Sequence, residues 1–273
     1  MEGLRALFLA EETMSYKDII VYLDASDLSE PRVETAIKIA KQHKAKLIGV
    51  DISTAVAFEG ERRERAQAIE ATFEKMVRIA GLEAEFRVAG TSAKTAQELF
   101  SHCADFIVTS QPHPDSAHLA AAAVPKDVLL TSGVPMLILP TGWEAKDPIG
   151  RHILLAWNFS RESTRALHDS MPLLINAESV ALFVFDRSFN PRRSDVLDVV
   201  AHLERHGVKV TVDGWRDTGE VDAISAMFAC VDRDEADLIV AGAYGHSPLV
   251  ESLFGGASEQ LLHNISMPVM MSH

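Results

Sequence analysis

A glycine-rich segment near the carboxyl terminus has the composition of a phosphate-binding loop. The segment contains Gly242, Gly245 and, nine residues later, the run Gly255-Gly256-Ala257-Ser258. Phosphate oxygens need main-chain N–H donors at close range, and glycine leaves that approach open and tolerates a positive φ. A helix that begins here would add unpaired N–H groups and a partial positive charge. The spacing predicts an anion-binding loop, and a plain turn followed by a glycine-rich helix start is the alternative.

The chain also repeats itself, which indicates how this loop is positioned. Three segments recur in the same order at offsets of 132, 133 and 134 residues: 104–108 as 236–240, 134–138 as 267–271, and 19–26 as 153–160. A period of this length predicts a duplicated domain rather than an array of short repeats. We therefore expect an N-terminal extension at residues 1–13, a first domain at 14–143 and a second domain at 150–273.

Within each copy, short apolar runs alternate with helical patterns. Ile19–Leu23 and Leu47–Ile52 have the character of buried parallel strands, and Glu30–His43 between them places apolar residues at helical spacing. This alternation predicts an α/β protein with two tandem doubly wound, Rossmann-like domains, each a parallel sheet with helices on both faces. The glycine-rich segment then follows the fourth strand of the second copy, at the sheet edge where such folds bind ligands.

Composition limits the classes of partner. The chain has 273 residues and a formal net charge of −13, so it repels nucleic acid and anionic membrane surfaces. No apolar run approaches the ~18 residues of a membrane helix. Cys103 and Cys230 are too few for a disulfide framework and fit a reducing compartment. We expect a cytoplasmic protein without nucleic acid or membrane as a partner, and with both thiols buried.

These motifs resemble the universal stress protein family. The pattern G-x2-G-x9-G is the phosphate and ribose loop of its ATP-binding members, and Asn158-Phe159-Ser160 is similar to the Asp-x-Ser signature that ends their first strand. The C-terminal run 268–273 is also similar to a bacterial subgroup of the family. The resemblance covers residues 14–273 as two copies, and the chain is identified as a tandem member.

The resemblance implies an adenine nucleotide as the ligand of the second domain. ATP is the first candidate, AMP and ADP are alternatives, and Mg²⁺ would accompany the nucleotide rather than occupy a metal site of the protein. Asn158 would lie at the adenine end and Val184 would line the base pocket. The predicted ribose and phosphate contacts are Gly242, Gly245, Gly255, Gly256, Ala257 and Ser258, and His246 could reach a phosphate or face solvent.

Two positions of the second copy depart from the family pattern. Asn158 stands where the family commonly has Asp, and Gly256 stands where Ser or Thr usually follows the preceding glycine. The lost hydroxyl is worth about 0.5–1.5 kcal/mol as a hydrogen bond, which corresponds to up to about tenfold in affinity. Both changes favour weaker or altered nucleotide binding without removing the loop.

The first copy departs much further. It keeps Asp24-Ala25-Ser26, but Ser110, Ala123 and Val124 stand at the positions of Gly242, Gly255 and Gly256. Side chains at all three positions obstruct the approach of phosphate to the main chain. We expect that the first domain does not bind phosphate in the manner of the family, and its own ligand stays open.

Catalytic machinery is not visible in the sequence. The P-loop pattern G-x4-G-K-[ST] and the G-x-S-x-G elbow are both absent. His202 and His206 are four residues apart, as metal ligands can be, but the intervening Glu204 and Arg205 favour a solvated face. We expect a nucleotide-binding stress-response protein without fast turnover, no catalytic residue and no metal site. A scaffold with degenerate sites and a slow ATPase are the alternatives.

We expect the two copies of the fold to associate with each other within one chain. Met136–Leu139 and Pro268–Met271 are the fifth strands of the two copies, and their pairing would cover two sheet edges and make the monomer a pseudo-dimer. A homodimer of the whole chain stays open. The sequence identifies no protein partner.

Overall fold

The described part of the molecule includes ten strands that come from both copies. The structure, a computed structural model, describes residues 14–26, 29–52, 59–89, 100–111, 126–145, 149–186, 189–243, 261 and 265–273. The extension expected at residues 1–13 lies outside the described residues. No helix in the described ranges is both long enough and apolar enough to cross a membrane.

The two halves of the chain contribute five strands each. The elements of the first half are β1 (Asp18–Leu23), α1 (Ser29–His43), β2 (Lys46–Asp51), α2 (Glu59–Ala80), β3 (Ala84–Val88), β4 (Phe106–Ser110), α3 (Lys126–Thr131) and β5 (Met136–Leu139), with a short 3-10 turn at Ser101–Cys103. The elements of the second half are β6 (His152–Trp157), α4 (Arg161–Asp169), α5 (Met171–Leu174), β7 (Ser179–Asp186), α6 (Ser194–Arg205), β8 (Val210–Arg216), α7 (Ala223–Asp234), β9 (Leu238–Gly242) and β10 (Val269–Ser272).

All ten strands form one continuous sheet in the order β3-β2-β1-β4-β5-β10-β9-β6-β7-β8. Strands within each half are parallel, and the two halves meet where β5 pairs antiparallel with β10. At this junction Met136 lies opposite Met271 and Ile138 lies opposite Val269. The predicted tandem doubly wound fold and its pseudo-dimeric arrangement are therefore confirmed.

Successive side chains of each strand point to opposite faces of the sheet, and helices cover both faces. Ile19, Val21 and Leu23 of β1 pack on one face against α1 and α2, and Ile20 and Tyr22 pack on the other face against α3. In the second half, α4, α5 and α6 cover the first of these faces and α7 covers the other. Both faces need apolar side chains, which is why the strands read as continuous apolar runs.

The two cysteines differ in environment. Cys230 is buried under the sheet, as expected, and its surroundings raise the pKa of the thiol to about 12, mainly through burial. Cys103 lies in the 3-10 turn and is exposed, so the prediction that both thiols are buried was wrong for this residue. The two residues occupy different elements, a helix in one half and a turn in the other.

A buried guanidinium holds the carboxyl end of β1 in place. Arg32 of α1 is fully buried, and both of its terminal nitrogens donate to Asp24 Oδ2 at 3.0 Å. Its Nε donates to Ser110 Oγ at 2.8 Å, and its Nη1 also donates to the Tyr22 carbonyl at 2.5 Å. Helix α1 is thereby tied to the ends of both β1 and β4.

Removal of the guanidinium should destabilise the protein strongly. Arg32→Met leaves the Asp24 carboxylate buried without its counter-charge, so we expect the free energy of unfolding to fall by about 3–5 kcal/mol. Urea denaturation monitored by circular dichroism measures this loss. Lys46→Met is the control, because it breaks an ion pair with Glu85 that is largely solvated. Equal urea midpoints for Arg32→Met and Lys46→Met would contradict the conclusion that Arg32 holds the carboxyl ends of β1 and β4 in place.

A second prediction concerns His43, at the carboxyl end of α1. Burial, aided by the Lys17 ammonium, lowers the pKa of the imidazole from 6.5 to about 4. The neutral ring packs on Tyr16 at a centroid distance of 4.8 Å, and among the described residues its Nε2 has no hydrogen-bond partner. Because the folded pKa lies below the unfolded value, stability from the neutral ring is complete above pH 6.5 and is lost as pH falls toward 4.

Chemical denaturation between pH 7 and pH 4 tests this dependence. The parent protein should lose up to roughly 3 kcal/mol more than His43→Gln over that interval. His152→Gln, a change at a more solvated imidazole, is the control and should follow the parent. An equal loss of unfolding free energy between pH 7 and pH 4 in the parent and in His43→Gln would show that His43 does not cause the loss of stability in acid.

Candidate functional site

The second half has a cleft of about 490 Å³ at the carboxyl ends of β6, β7 and β9, bordered by α7. Most of its walls are apolar or aromatic. Residues from β6 and β7 include Ala156, Trp157, Phe183, Val184 and Phe185, and residues from α7 include Ala223, Ile224 and Met227. The carboxyl ends of parallel strands are where ligands bind in doubly wound sheets, so this cleft is the candidate site.

Four polar side chains also line the cleft: Asn158, Ser163, Asp186 and Asp217. Asn158 follows β6 directly, and its Oδ1 accepts a hydrogen bond from the main-chain N–H of Ser160 at 3.1 Å. The Ser160 hydroxyl in turn accepts from the N–H of Ser163 at 3.1 Å and caps α4. Two consecutive turns therefore fix the strand end, the loop and the first turn of the helix as one unit.

Phe159 forms an aromatic edge at the mouth of the cleft. Its φ of +62° is a left-handed conformation that non-glycine residues seldom adopt, and the ring is 38% exposed. The ring packs edge-on against Trp157 at 6.0 Å, and the Arg193 guanidinium lies 4.8 Å from its centroid. Arg193 also pairs with Asp186 at 2.7 Å, which links this edge to the end of β7. The exposed ring is held from two sides.

Gly242 lies in the cleft, but packing already accounts for its being glycine. A Cβ at this position would stand 2.5 Å from the carbonyl carbon of Glu162 and 2.6 Å from the nitrogen of Ser163. These are main-chain atoms that cannot move aside, so glycine is what lets the end of β9 approach the start of α4. The role predicted for Gly242 beside the ribose stays a prediction.

The structure brings three of the predicted site residues together. Asn158, Val184 and Gly242 all line the cleft, and Val184 is almost fully buried beside Trp157, its neighbour across β6 and β7. The other six, Gly245, His246, Gly255, Gly256, Ala257 and Ser258, lie outside the described residues. The phosphate-binding part of the site therefore stays a prediction.

Several lining residues escaped the sequence reasoning. Asp217 comes directly after β8, and Ile224 and Met227 lie on α7. Asp217 could have been found as a polar residue at the carboxyl end of a parallel strand. Ile224 and Met227 carry no such signal, because apolar residues three apart on a helix look the same whether they face a core or a cleft.

In the first half, larger side chains stand at two positions where the second half has alanine. Tyr22 stands at the position of Ala156, one residue before the strand ends, and it is fully buried. Arg32 stands at the position of Ala166 and is also fully buried. The first half does have a second cleft of about 490 Å³, but it lies on the opposite face of the sheet, between α1 and α2.

Metal ligands do not converge in the part of the chain that the structure describes: no group of three or more His, Cys, Asp or Glu side chains is placed to hold an ion. His202 and His206, four residues apart on α6, pack with ring centroids 4.8 Å apart, and His168 of α4 lies 5.4 Å from His202. These three rings form a contact between two helices on the side of the sheet that α6 covers.

The chain is similar to known proteins over about half of its length and over nearly its whole length. No protein-family model matches it. A universal stress protein of Mycolicibacterium smegmatis is 31% identical over 133 residues, which are 49% of this chain and 95% of that protein. The crystal structure of a universal stress protein from Archaeoglobus fulgidus superposes with a TM-score of 0.71 at 17% identity and covers 93% of this chain and 95% of that one.

A shorter structure matches one copy of the fold. It is a universal stress protein in complex with cAMP, 24% identical, which covers 46% of this chain and 97% of its own length with a TM-score of 0.34. One relative of about half this length and one structure of the full length agree with the internal repeat of the sequence. The chain therefore belongs to the universal stress protein family, as a tandem member with two copies of the fold.

Proposed function

We propose that this chain is a cytoplasmic stress-response protein that binds an adenine nucleotide, with ATP as the first candidate, in the cleft of the second half. The observation that carries the proposal is the cleft of about 490 Å³ at the carboxyl ends of β6, β7 and β9, where doubly wound sheets bind their ligands. Ala156 stands in the wall of this cleft, and the equivalent residue of the first half, the larger Tyr22, is fully buried.

The size and walls of the cleft suit a nucleoside. Its volume of about 490 Å³ falls within the usual range for small-molecule sites. Phe185, which is partly exposed, and Phe159, an exposed ring at the mouth, provide aromatic surface for a base, whereas Trp157 and Phe183 are almost fully buried. Aromatic side chains stack on bases with a contribution of about 1–3 kcal/mol each. Base and sugar would occupy this part of the cleft.

Electrostatics divide the proposed site into two parts. The described residues that line the cleft include Asp186 and Asp217 but no lysine or arginine. Carboxylates suit ribose hydroxyls, and the Asp186 carboxylate is already paired with Arg193 at 2.7 Å. We expect the phosphates to extend toward the glycine-rich segment that follows Gly242. Mg²⁺ would enter with the phosphates. Fast hydrolysis needs positive charge at the γ-phosphate, and we therefore propose binding without fast turnover.

The acidic composition and the reduced cysteines support a cytoplasmic location. A net charge of −13 disfavours nucleic acid and anionic membranes as partners, and two cysteines are compatible with a reducing compartment. Protein partners that recognise the bound state, and a homodimer of the whole chain, belong to the same proposal.

Addition of ATP should raise the melting temperature. A ligand at about 100 times its Kd adds about 2.7 kcal/mol to stability, which corresponds to several degrees for a protein of this size. Differential scanning fluorimetry at about 1 mM ATP, with and without Mg²⁺, measures the shift, and a phosphate-release assay on the same sample measures turnover. An unchanged melting temperature for ATP, ADP and AMP would leave a scaffold as the function of this fold, and rapid phosphate release would make it an ATPase.

A large side chain in the wall of the second-half cleft should weaken binding. Ala156→Tyr introduces at β6 the side chain that β1 carries at the equivalent position, so we expect the ATP affinity to fall at least about tenfold because the ring occupies the base pocket. Isothermal titration calorimetry measures the loss. Ile79→Tyr, at a residue that is 77% exposed on α2, is the matched control and should bind as the parent does. Full affinity in Ala156→Tyr would move the nucleotide out of this cleft.

A further inference from the structure

Phe159 holds a main-chain conformation that its turn does not require. Its φ is +62°, in the left-handed region that residues with a side chain disfavour. The turns at 24–26 and 158–160 share one hydrogen bond, because in each the first side chain accepts from the main-chain N–H two residues later. The middle residue of the first turn is Ala25, and it does not have a positive φ. The left-handed conformation therefore belongs to Phe159 and not to this kind of turn.

The other left-handed residues with side chains, within the part of the chain that the structure describes, have local explanations. Lys44 and Glu235 directly follow helices, where this conformation is common. Phe100 is partly buried and packs against the core. Phe159 follows a strand, and its ring is exposed. Strained residues of this kind are typical of ligand-binding sites, so a role in binding is the explanation that we test for Phe159.

Two contacts hold the Phe159 ring in place. Trp157 meets it edge-on at a centroid distance of 6.0 Å, and the Arg193 guanidinium lies over one face, 4.8 Å from the centroid. The guanidinium is itself fixed, since Nη1 pairs with Asp186 at 2.7 Å and Nε donates to Asp195 at 2.9 Å. Phe159 is nevertheless 38% exposed and lines the cleft. The face opposite the guanidinium is therefore the part of the ring that a ligand can reach.

We propose that Phe159 stacks on the base of the bound nucleotide through this face, and that it gives the site a preference for purine over pyrimidine bases. This inference rests on the proposed nucleotide-binding function. Stacking depends on the area of the two rings and tolerates different groups at their edges, so a purine gains more than a pyrimidine. The strained main chain is the cost of holding the ring in position before the ligand arrives.

ATP and UTP are the probes, because they carry the same ribose and triphosphate and differ in the base. We expect the parent protein to bind ATP about three- to tenfold more tightly than UTP. Phe159→Gly removes the ring and accepts the left-handed main chain. Its ATP affinity should fall at least about fivefold, and the ratio of the two Kd values should approach one. Isothermal titration calorimetry measures both.

Phe100→Gly is the matched control. Phe100 has a φ of +61°, and the Arg87 guanidinium lies 5.1 Å from the centroid of its ring, but it does not line the cleft. The same substitution at this residue should leave the ATP affinity and the ratio at the parent values. Phe159→Trp restores a flat ring at the cleft and should keep the preference for ATP.

Thermal unfolding separates the strain from the loss of the ring. Phe159→Ala and Phe159→Gly both lack the ring, so they should lose ATP affinity to the same extent. Only alanine keeps a Cβ that opposes the left-handed conformation, so Phe159→Ala should melt at a lower temperature than Phe159→Gly. Equal melting temperatures would show that the main chain at this position is not strained, and would overturn that part of the inference.

The titrations decide the rest. Loss of affinity and of the ratio in Phe159→Gly, with both retained in Phe159→Trp and Phe100→Gly, supports the inference. A parent without preference for ATP over UTP overturns it, as does unchanged ATP binding or an unchanged ratio in Phe159→Gly, and each of these results leaves the nucleotide-binding function intact. Failure of the parent to bind either nucleotide at millimolar concentration overturns the proposed function, and the inference falls with it.

Discussion

The antiparallel pairing of β5 with β10 is the constraint on which the arrangement of the molecule depends. Without this pairing, β5 and β10 would each be the edge strand of a separate sheet, with unpaired main-chain N–H and C=O groups. The residues of both strands are buried in the structure. Exposed edge strands of this kind tend to pair with other chains. In the tandem arrangement, the main-chain groups of both edge strands form their hydrogen bonds within one chain, so no second chain is needed. The pairing also reverses the direction of the parallel strands between halves. The carboxyl ends of β1 and β6 consequently point toward opposite ends of the continuous sheet.

Separation of the two strand ends allows the two halves to differ in chemistry. At the end of β1, Tyr22 and Arg32 are fully buried, and the guanidinium pairs with the Asp24 carboxylate. At the end of β6, alanines stand at both equivalent positions. A buried ion pair gives little net stability compared with apolar packing, yet it is costly to break. The first half therefore depends on an ion pair that the second half does not have at the same positions.

The sequence predicted the fold well because its signals are redundant. Apolar runs, helical spacing and the offset of 132–134 residues all lead to the same tandem parallel sheet. The site was harder to predict because the same residue type can serve either packing or ligand binding. Gly242 was selected as a phosphate contact, but its Cβ would collide with Glu162 and Ser163, which is a packing reason that the sequence does not reveal. Tyr22 and Arg32 carry no sequence signal that distinguishes them from other strand and helix residues. Only the structure shows that both are fully buried.

Asn158 and Asp24 show that one turn accommodates two different residues. The Asx turn at the end of β6 needs one oxygen to accept from Ser160, and both Asp and Asn supply it. The backbone path, the cap of α4 and the close approach of Gly242 are therefore indifferent to which residue is present. The second side-chain atom is under no such constraint, because it is used by Arg32 in one half and has no hydrogen-bond partner among the described residues in the other. The two copies therefore share one turn, while the second side-chain atom has a different environment in each.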